Sequence, residues 1–259
     1  MASSQSIELD PPPYPDLATA SLFFDFDGTL VDLAQTPDGV VVDDALGNRL
    51  SRLSRATNGR VAIVTGRSIA QIDALMGHHA KGLAIAGSHG AERRTSREGH
   101  VRPERSAELE SAAAELKAFA ALEGLLFEAK SLGVTLHYRQ CPEREGEAVA
   151  MAERVATRFG LHANRGKMMV EVRLPGDKGQ AIATLMDNAA LHGTTPWFFG
   201  DDLTDEDGFV AATELGGAGV LIDPPRATAA AYRLDDVAAL REWIDEVLAR
   251  AEAVAEQRA

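Results

Sequence analysis

The sequence predicts an α/β protein whose core is a doubly wound parallel sheet, with a second, smaller α/β domain inserted into that core. Five short apolar runs each end in a polar or glycine-rich turn, and helical patterns lie between them. The middle of the chain differs, because its apolar residues alternate with polar ones. Unbroken apolar runs indicate strands buried on both faces, whereas alternation indicates a sheet with one open face.

The core strands are expected at residues 22–26, 61–65, 83–86 and 197–199, with a fifth beginning at Val220. Apolar positions at helical spacing predict helices over residues 43–56, 69–76 and 179–190. Ligands of such sheets bind at the carboxyl ends of the strands. The polar residues that directly follow the apolar runs are therefore the candidates for a functional site.

The inserted domain is expected at residues 97–172, between a core of residues 21–96 and 173–259 that follows a tail of residues 1–20. Helices are predicted over residues 106–122 and 143–159, and strands in "LLFEAKS", "GVTLHYRQ" and "KMMVEVRL". The polar face of these strands carries Lys130, His137, Arg139, Lys167, Glu171 and Arg173. Polar sheet faces are usually only solvated, so this face is a binding candidate only if it faces a site.

The composition bounds the function classes. The chain has 259 residues, 45% apolar and 25% charged, with a net charge of −13. That charge argues against nucleic-acid binding, which needs a basic face. Cys141 is the only cysteine, so no internal disulfide can form. The start of the sequence has no secretory signal pattern, and no apolar run approaches the roughly 18 residues of a membrane span. We therefore expect a cytoplasmic protein without a membrane anchor.

Two groups of carboxylates follow predicted buried strands. Asp25 and Asp27 lie in "FFDFDGTL", and Asp201 and Asp202 lie in "FFGDDLTDEDGF". Uncompensated charge in such places is costly, and crowded carboxylate oxygens favour a hard cation such as Mg²⁺. If the two strands are neighbours, Asp25 and Asp201 meet at one edge. A divalent cation between them would keep Asp25 ionised and available as a nucleophile.

These two segments also match other local patterns. Asp-Gly between apolar residues also indicates a hairpin turn, which can follow the strand and still leave Asp25 at its tip. In the second segment, Asp205, Asp207 and Glu214 occupy positions of a calcium-binding loop. Leu203 stands where that loop needs its first carboxylate, and a strand rather than a helix precedes it.

The motifs "DFDGTL", "VTGR", "DKG" and "GDDLTDEDGF", in this order, resemble the haloacid dehalogenase-like phosphatase superfamily, whose core is Rossmann-like. The segments "AIAGSHGAERR", "EAKSLGVTLHYR" and "GKMMVEVR" are further similar to the bacterial trehalose-6-phosphate phosphatases. The similarity extends from about residue 21 to about residue 245. It implies a magnesium-dependent phosphatase that hydrolyses trehalose 6-phosphate through an aspartyl phosphate.

The resemblance also implies roles for individual residues. Asp25 would be the nucleophile and Asp27 the general acid and base, while Thr65 and Lys178 would contact the phosphoryl group. Mg²⁺ would be held by Asp25, Asp201 and the carbonyl of Asp27. Asp202 and Asp205 would not bind the metal directly but would hold Lys178 or a metal-bound water. The inserted domain would be a cap that closes over the substrate. The expected substrate-binding residues are Gly66, Arg67, His89, Lys130, His137, Arg139, Lys167 and Glu171.

Several alternatives stay open from the sequence. Another capped sugar phosphatase would act on sucrose 6-phosphate or mannosyl-3-phosphoglycerate, and a phosphomutase would transfer the phosphoryl group to a sugar. The alternative hypothesis from a different functional class is a protein that binds a sugar phosphate without catalysis. The pathway neighbour implied by the resemblance is trehalose-6-phosphate synthase, with no stable complex expected.

Overall fold

The computed structural model describes residues 8–34, 39–130, 132–166 and 168–258. Contacts divide the chain into two compact units, one formed by Met1–Val101 with Asp177–Ala259 and the other by Arg102–Gly176. The second unit begins and ends slightly later than the inserted domain expected at residues 97–172. The reason at its start is that Gly99–Val101 pairs with Glu92–Thr95 in the first unit. Among the described residues, none of the helices has both the length and the apolar composition needed to cross a membrane.

The described residues form strands and α-helices that are numbered here in chain order. The strands are β1 (Ala20–Phe24), β2 (Val61–Val64), β3 (Ala84–Gly87), β4 (Glu92–Thr95), β5 (Gly99–Val101), β6 (Leu126–Ala129), β7 (Gly133–His137), β8 (His162–Gly166), β9 (Met169–Arg173), β10 (Thr195–Gly200), β11 (Ala218–Ile222) and β12 (Tyr232–Leu234). The helices are α1 (Asp44–Ala56), α2 (Ile69–Met76), α3 (Ala107–Glu123), α4 (Glu145–Phe159), α5 (Lys178–Met186), α6 (Glu206–Glu214) and α7 (Val237–Arg258).

The first unit is built on one sheet with the strand order β12-β11-β10-β1-β2-β3-β4-β5. Its six strands from β12 to β3 pair in parallel, and β1 lies at the centre between β10 and β2. The predicted α/β class with a parallel sheet is thereby confirmed. The antiparallel pair β4 and β5 and the edge strand β12 were not predicted, because they are short and lack unbroken apolar runs.

Side-chain caps set where the helices of the first unit begin. The carboxylate of Asp43 accepts a hydrogen bond from the Leu46 N–H at 2.6 Å and starts α1. Asp177 does the same for α5, with the Gln180 N–H at 2.7 Å, so that Lys178 is the first helical residue. Helix α5 ends at Met186, earlier than the predicted residue 190. Strand β1 likewise ends at Phe24 rather than at residue 26, which leaves Asp25 directly after it.

The second unit is a four-stranded antiparallel sheet with the order β6-β7-β9-β8. Its core is apolar and includes Leu116 of α3, Val155 of α4, and Val134 and Val172 of the sheet. The alternation along β7 and β9 directs one set of side chains into this core and the other set to the opposite face. Strand β8, "HANRG", was not predicted, because it has no apolar alternation.

The packing of α3 gives a matched pair of leucines for a stability test. Leu116 is fully buried, whereas Leu122 in the same helix is 84% exposed. We expect Leu116→Ala to lower the free energy of unfolding by about 2–5 kcal/mol, because it removes buried contacts and leaves a cavity. Leu122→Ala should change it by less than about 0.5 kcal/mol. Urea unfolding followed by far-UV circular dichroism measures both; equal losses would contradict the described packing.

Candidate active site

Two aspartates follow the two central strands of the large sheet. Strands β1 and β10 are parallel neighbours in which Phe24 is paired with Phe199. The Asp25 N–H donates to the Phe199 carbonyl at 2.8 Å, which continues the pairing by one residue. Asp25 and Asp201 therefore leave adjacent strands at the same edge of the sheet. This is the carboxyl edge, where sheets of this type bind their ligands.

Lys178 links the carboxylates at this edge. Its Nζ lies 2.9 Å from Asp25 Oδ1 and 2.6 Å from Asp205 Oδ1, and only 4% of the lysine side chain is exposed. Burial alone would lower the pKa of Lys178, but the charges of Asp25 and Asp205 raise it above its ordinary value. The ammonium group is therefore a fixed positive charge next to the Asp25 carboxylate.

Asp205 is fully buried and shapes the loop that follows β10. Its Oδ2 accepts hydrogen bonds from the Asp201 N–H at 2.9 Å and the Asp202 N–H at 3.0 Å. Asp202 accepts at Oδ1 from the Thr204 N–H and the Thr204 hydroxyl, both at 2.7 Å. Burial would raise the pKa of Asp202, but Lys178 and Thr204 hold it below its usual range. Asp202 and Asp205 thus act on the backbone of this loop.

The Asp201 carboxylate lies against the turn that follows β1. The Thr29 hydroxyl donates to Asp201 Oδ1 at 3.1 Å. A Cβ atom at Gly28 would lie 2.1 Å from Asp201 Oδ2, and Gly28 has a φ of +87°, so only glycine fits here. Burial raises the pKa of Asp25 and of Asp201 to about 7 each, and neighbouring carboxylates add to the shift.

These carboxylates fit a divalent cation. One oxygen from each of Asp25, Asp201 and Asp205 lies within 4.8 Å of the other two. Asp205 already uses both oxygens for Lys178 and the loop amides, which leaves Asp25 and Asp201 as the better candidates for ligands. Oxygen ligands with net negative charge suit Mg²⁺. A cation there would also offset the burial that raises both pKa values.

Asp27 is paired with Arg67. The guanidinium Nε and Nη2 each lie 2.6 Å from a different oxygen of the Asp27 carboxylate. Arg67 was expected among the substrate-binding residues, and in this structure its guanidinium contacts Asp27, the expected acid and base. The Arg67 N–H also donates to the Thr65 hydroxyl at 3.1 Å, so the turn after β2 connects Thr65 with Asp27.

His89 lies beside the same turn. A Cβ atom at Gly66 would approach the His89 ring to 2.6 Å, so glycine lets the ring pack there. Ser88 and His89 both have positive φ, 51° and 55°. The neighbouring Glu92 holds this bend, since its Oε1 accepts from the Ser88 hydroxyl at 2.9 Å and the Ile69 N–H at 3.1 Å.

The remaining predicted residues lie in the second unit. Lys130 Nζ is 2.7 Å from Glu171 Oε1. His137 Nε2 is 2.8 Å from Glu128 Oε2, and Arg139 is exposed just after β7. Lys167 falls outside the described residues. Between the two ion pairs in the sheet, Thr135 pairs with Glu128 on one side and Glu171 on the other.

Two contacts to the Asp201 segment come from residues that the sequence did not single out. Thr29 directly follows the "DFDG" motif, and this position is the only sign in the sequence that its hydroxyl contacts the site. Arg226 follows β11, and its guanidinium donates to the carbonyls of Asp201 and Asp202. No local pattern in "DPPRAT" signals this contact, because it depends on the neighbouring positions of β10 and β11.

Comparison with known proteins agrees with this geometry. The family described as trehalose-phosphatase matches residues 23–238. The trehalose-6-phosphate phosphatase of Escherichia coli (strain K12) is 38% identical over 229 residues, which cover 87% of this chain and 85% of that protein. A probable trehalose-phosphate phosphatase of Sinorhizobium fredii is 40% identical over 215 residues, 81% of this chain and 80% of that protein.

A solved structure shares the fold. The C-terminal domain of the Candida albicans trehalose-6-phosphate phosphatase matches with a TM-score of 0.75 at 21% identity, covering 95% of this chain and 99% of that one. At this identity the likeness supports the fold alone. The family match and the two sequence relatives carry the assignment: this chain belongs to the trehalose-phosphatase family, and it is a phosphatase.

Proposed function

We propose that this phosphatase hydrolyses trehalose 6-phosphate to trehalose and inorganic phosphate, with Mg²⁺ as cofactor and an aspartyl phosphate as intermediate. The observation that carries the proposal is the buried Asp25, held between Lys178 and Asp201 at the carboxyl edge of the sheet. The relatives named for trehalose-6-phosphate support the choice of substrate.

The proposed reaction has two steps. In the first, an Asp25 oxygen attacks phosphorus, the bond between phosphorus and the sugar oxygen breaks, and Asp27, in its protonated form, gives that oxygen its proton. In the second, Asp27 takes a proton from water, the water oxygen attacks phosphorus, and the bond to Asp25 breaks. Phosphate leaves, Asp25 is again a carboxylate and Asp27 again carries its proton. In hydrolases one residue can serve first as the general acid and then as the general base.

Positive and polar groups around Asp25 would stabilise the charge of the transferring group. Lys178 lies 2.9 Å from Asp25 Oδ1, where it would balance both the nucleophile and the phosphoryl oxygens. Thr65 is buried at the end of β2, and its hydroxyl hydrogen can be donated to a phosphoryl oxygen because the bond from Arg67 uses only a lone pair. Arg67 would hold the Asp27 carboxylate that the first step leaves.

The proposed magnesium ligands are the carboxylates of Asp25 and Asp201 and the carbonyl of Asp27. When bound, Mg²⁺ supplies positive charge that favours the approach of a phosphate dianion to a carboxylate. Asp205 would keep the Asp201 segment in position through the amides of Asp201 and Asp202. Asp202 would fix the start of the following turn.

We propose that the polar face of the β6-β7-β9-β8 sheet binds the sugar hydroxyls. The Lys130–Glu171 and His137–Glu128 pairs offer hydrogen-bond donors and acceptors on this face. Thr135 lies between them fully buried, and its hydroxyl has no hydrogen-bond partner within the described part of the chain. Contacts of Arg67, Arg139, Lys167, Gly66 and His89 with substrate stay predictions, as do a cytoplasmic location and a pathway link to trehalose-6-phosphate synthase.

A panel of sugar phosphates tests the substrate. We expect kcat/KM for trehalose 6-phosphate to exceed the values for glucose 6-phosphate, sucrose 6-phosphate and mannosyl-3-phosphoglycerate by at least about 100-fold, because polar sites reject substrates that leave their groups unpaired. Phosphate release in the presence of MgCl₂ measures each value. Comparable turnover across the panel would contradict the proposed specificity.

Asp25→Asn distinguishes an enzyme from a sugar-phosphate binding module. We expect phosphate release to fall to the assay background, because the amide cannot act as the nucleophile. Asp187→Asn, at an exposed aspartate of the same unit, should keep full activity and serves as the matched control. Substantial turnover by a correctly folded Asp25→Asn variant would exclude Asp25 as the nucleophile.

Glu171→Gln tests the sugar-binding face. Loss of a charged acceptor costs about 1.5–3 kcal/mol, so we expect KM for trehalose 6-phosphate to rise about 10- to 100-fold. Hydrolysis of p-nitrophenyl phosphate, which has no sugar, should be unchanged. Glu115→Gln alters an ion pair of α3 with Arg158 and should affect neither substrate. Equal losses on both substrates would place the effect of Glu171 in the chemistry or the fold instead.

A further inference from the structure

The loop after β10 is fixed by an arginine from the neighbouring strand connection. Arg226 Nη2 donates to the Asp202 carbonyl at 2.9 Å and to the Asp201 carbonyl at 3.3 Å. We propose that Arg226 is a positioning residue for the metal site, acting on Asp201 through these two backbone carbonyls. The inference rests on the proposed magnesium site and assigns a role that lies outside the carboxylate motif.

The same two residues are held from the opposite side of their peptide groups. Asp205 accepts hydrogen bonds from the N–H groups of Asp201 and Asp202, at 2.9 and 3.0 Å. Asp205 therefore restrains the amides while Arg226 restrains the carbonyls. The peptide group between Asp201 and Asp202 is thereby held at both ends, its N–H by Asp205 and its carbonyl by Arg226, so the Asp201 backbone has little freedom to rotate. Its carboxylate then keeps its place beside Gly28 and Thr29 without rearrangement when a cation binds.

Arg226 itself is anchored to α6. Its Nη1 donates to the Glu206 carboxylate, in the first turn of that helix. Glu206 also accepts at its other oxygen from the Ala229 N–H at 2.7 Å and the Thr228 hydroxyl at 3.2 Å. The Glu206 carboxylate thus links the segment after β11 to α6. Arg226 extends this link to the loop after β10, which carries Asp201.

The geometry requires a guanidinium group. Arg226 reaches two carbonyls with one nitrogen and a carboxylate with another, which uses the planar fork of an arginine. A lysine would bring the charge, but its three N–H donors lie on one nitrogen and cannot reproduce the spacing of the guanidinium fork. The side chain is 21% exposed, so most of its surface packs against the protein.

Magnesium-dependent thermal stability tests the proposal without any turnover. Tm is recorded against MgCl₂ concentration for the wild-type chain, Arg226→Met and Arg226→Lys. We expect the MgCl₂ concentration at half of the maximal Tm shift to rise about 10- to 100-fold in Arg226→Met, the usual effect of removing a group that orients a metal ligand. Arg226→Lys should lie between Arg226→Met and the wild type.

Arg49→Met is the matched control, because Arg49 forms a bidentate pair with Asp245 far along the chain from the loop. It should lower Tm in metal-free buffer and leave the MgCl₂ midpoint unchanged. A wild-type midpoint in Arg226→Met would overturn the role of Arg226. If that variant does not fold, a wild-type midpoint in Arg226→Lys has the same meaning. If the Tm of the wild-type chain does not change with MgCl₂ concentration, that result would instead contradict the magnesium site of the proposed function.

Discussion

The buried ion pair network of Lys178 is the interaction on which the candidate site depends. The ammonium group contacts Asp25 and Asp205, and Asp205 in turn holds the amides of Asp201 and Asp202. A buried charge that loses one partner is strongly destabilising, so each member of the network constrains the others. Because Lys178 is the first residue of α5, the position of that helix determines where the ammonium group meets Asp25 and Asp205.

Two glycines of the site allow carboxylate side chains to pack directly against the backbone. Gly28 leaves room for the Asp201 carboxylate, and Gly200 leaves room for Asp205, whose Cγ would lie 2.3 Å from a Cβ atom at that position. Both glycines look like ordinary turn residues in the sequence. The packing role of Gly28 depends on the neighbouring strand β10, so it becomes visible only when β1 and β10 lie side by side. That of Gly200 depends on the turn after β10, which brings the Asp205 side chain back against it.

The sequence predicted those parts of the fold that depend on local pattern. Unbroken apolar runs identified the central strands, and the carboxylates after two of them indicated a shared edge, because parallel neighbours end together. The β4–β5 hairpin and β8 were not predicted, because their residues are mostly polar. They form strands only by pairing with the sheets that they join. Contacts made by long flexible side chains, such as Arg67 with Asp27 and Arg226 with the Asp201 carbonyl, also have no local signal.

The charges of the site argue for a cation on physical grounds alone. Five carboxylates gather around the ends of β1 and β10, namely those of Asp25, Asp27, Asp201, Asp202 and Asp205. Lys178 and the Asp27-bound Arg67 balance only part of this charge, and Arg226 is neutralised by Glu206. A phosphate dianion that enters such a place adds further negative charge beside a carboxylate nucleophile. Since Lys178, Arg67 and Arg226 each already have an acidic partner, a divalent cation is the simplest way for this edge to accept a phosphorylated substrate.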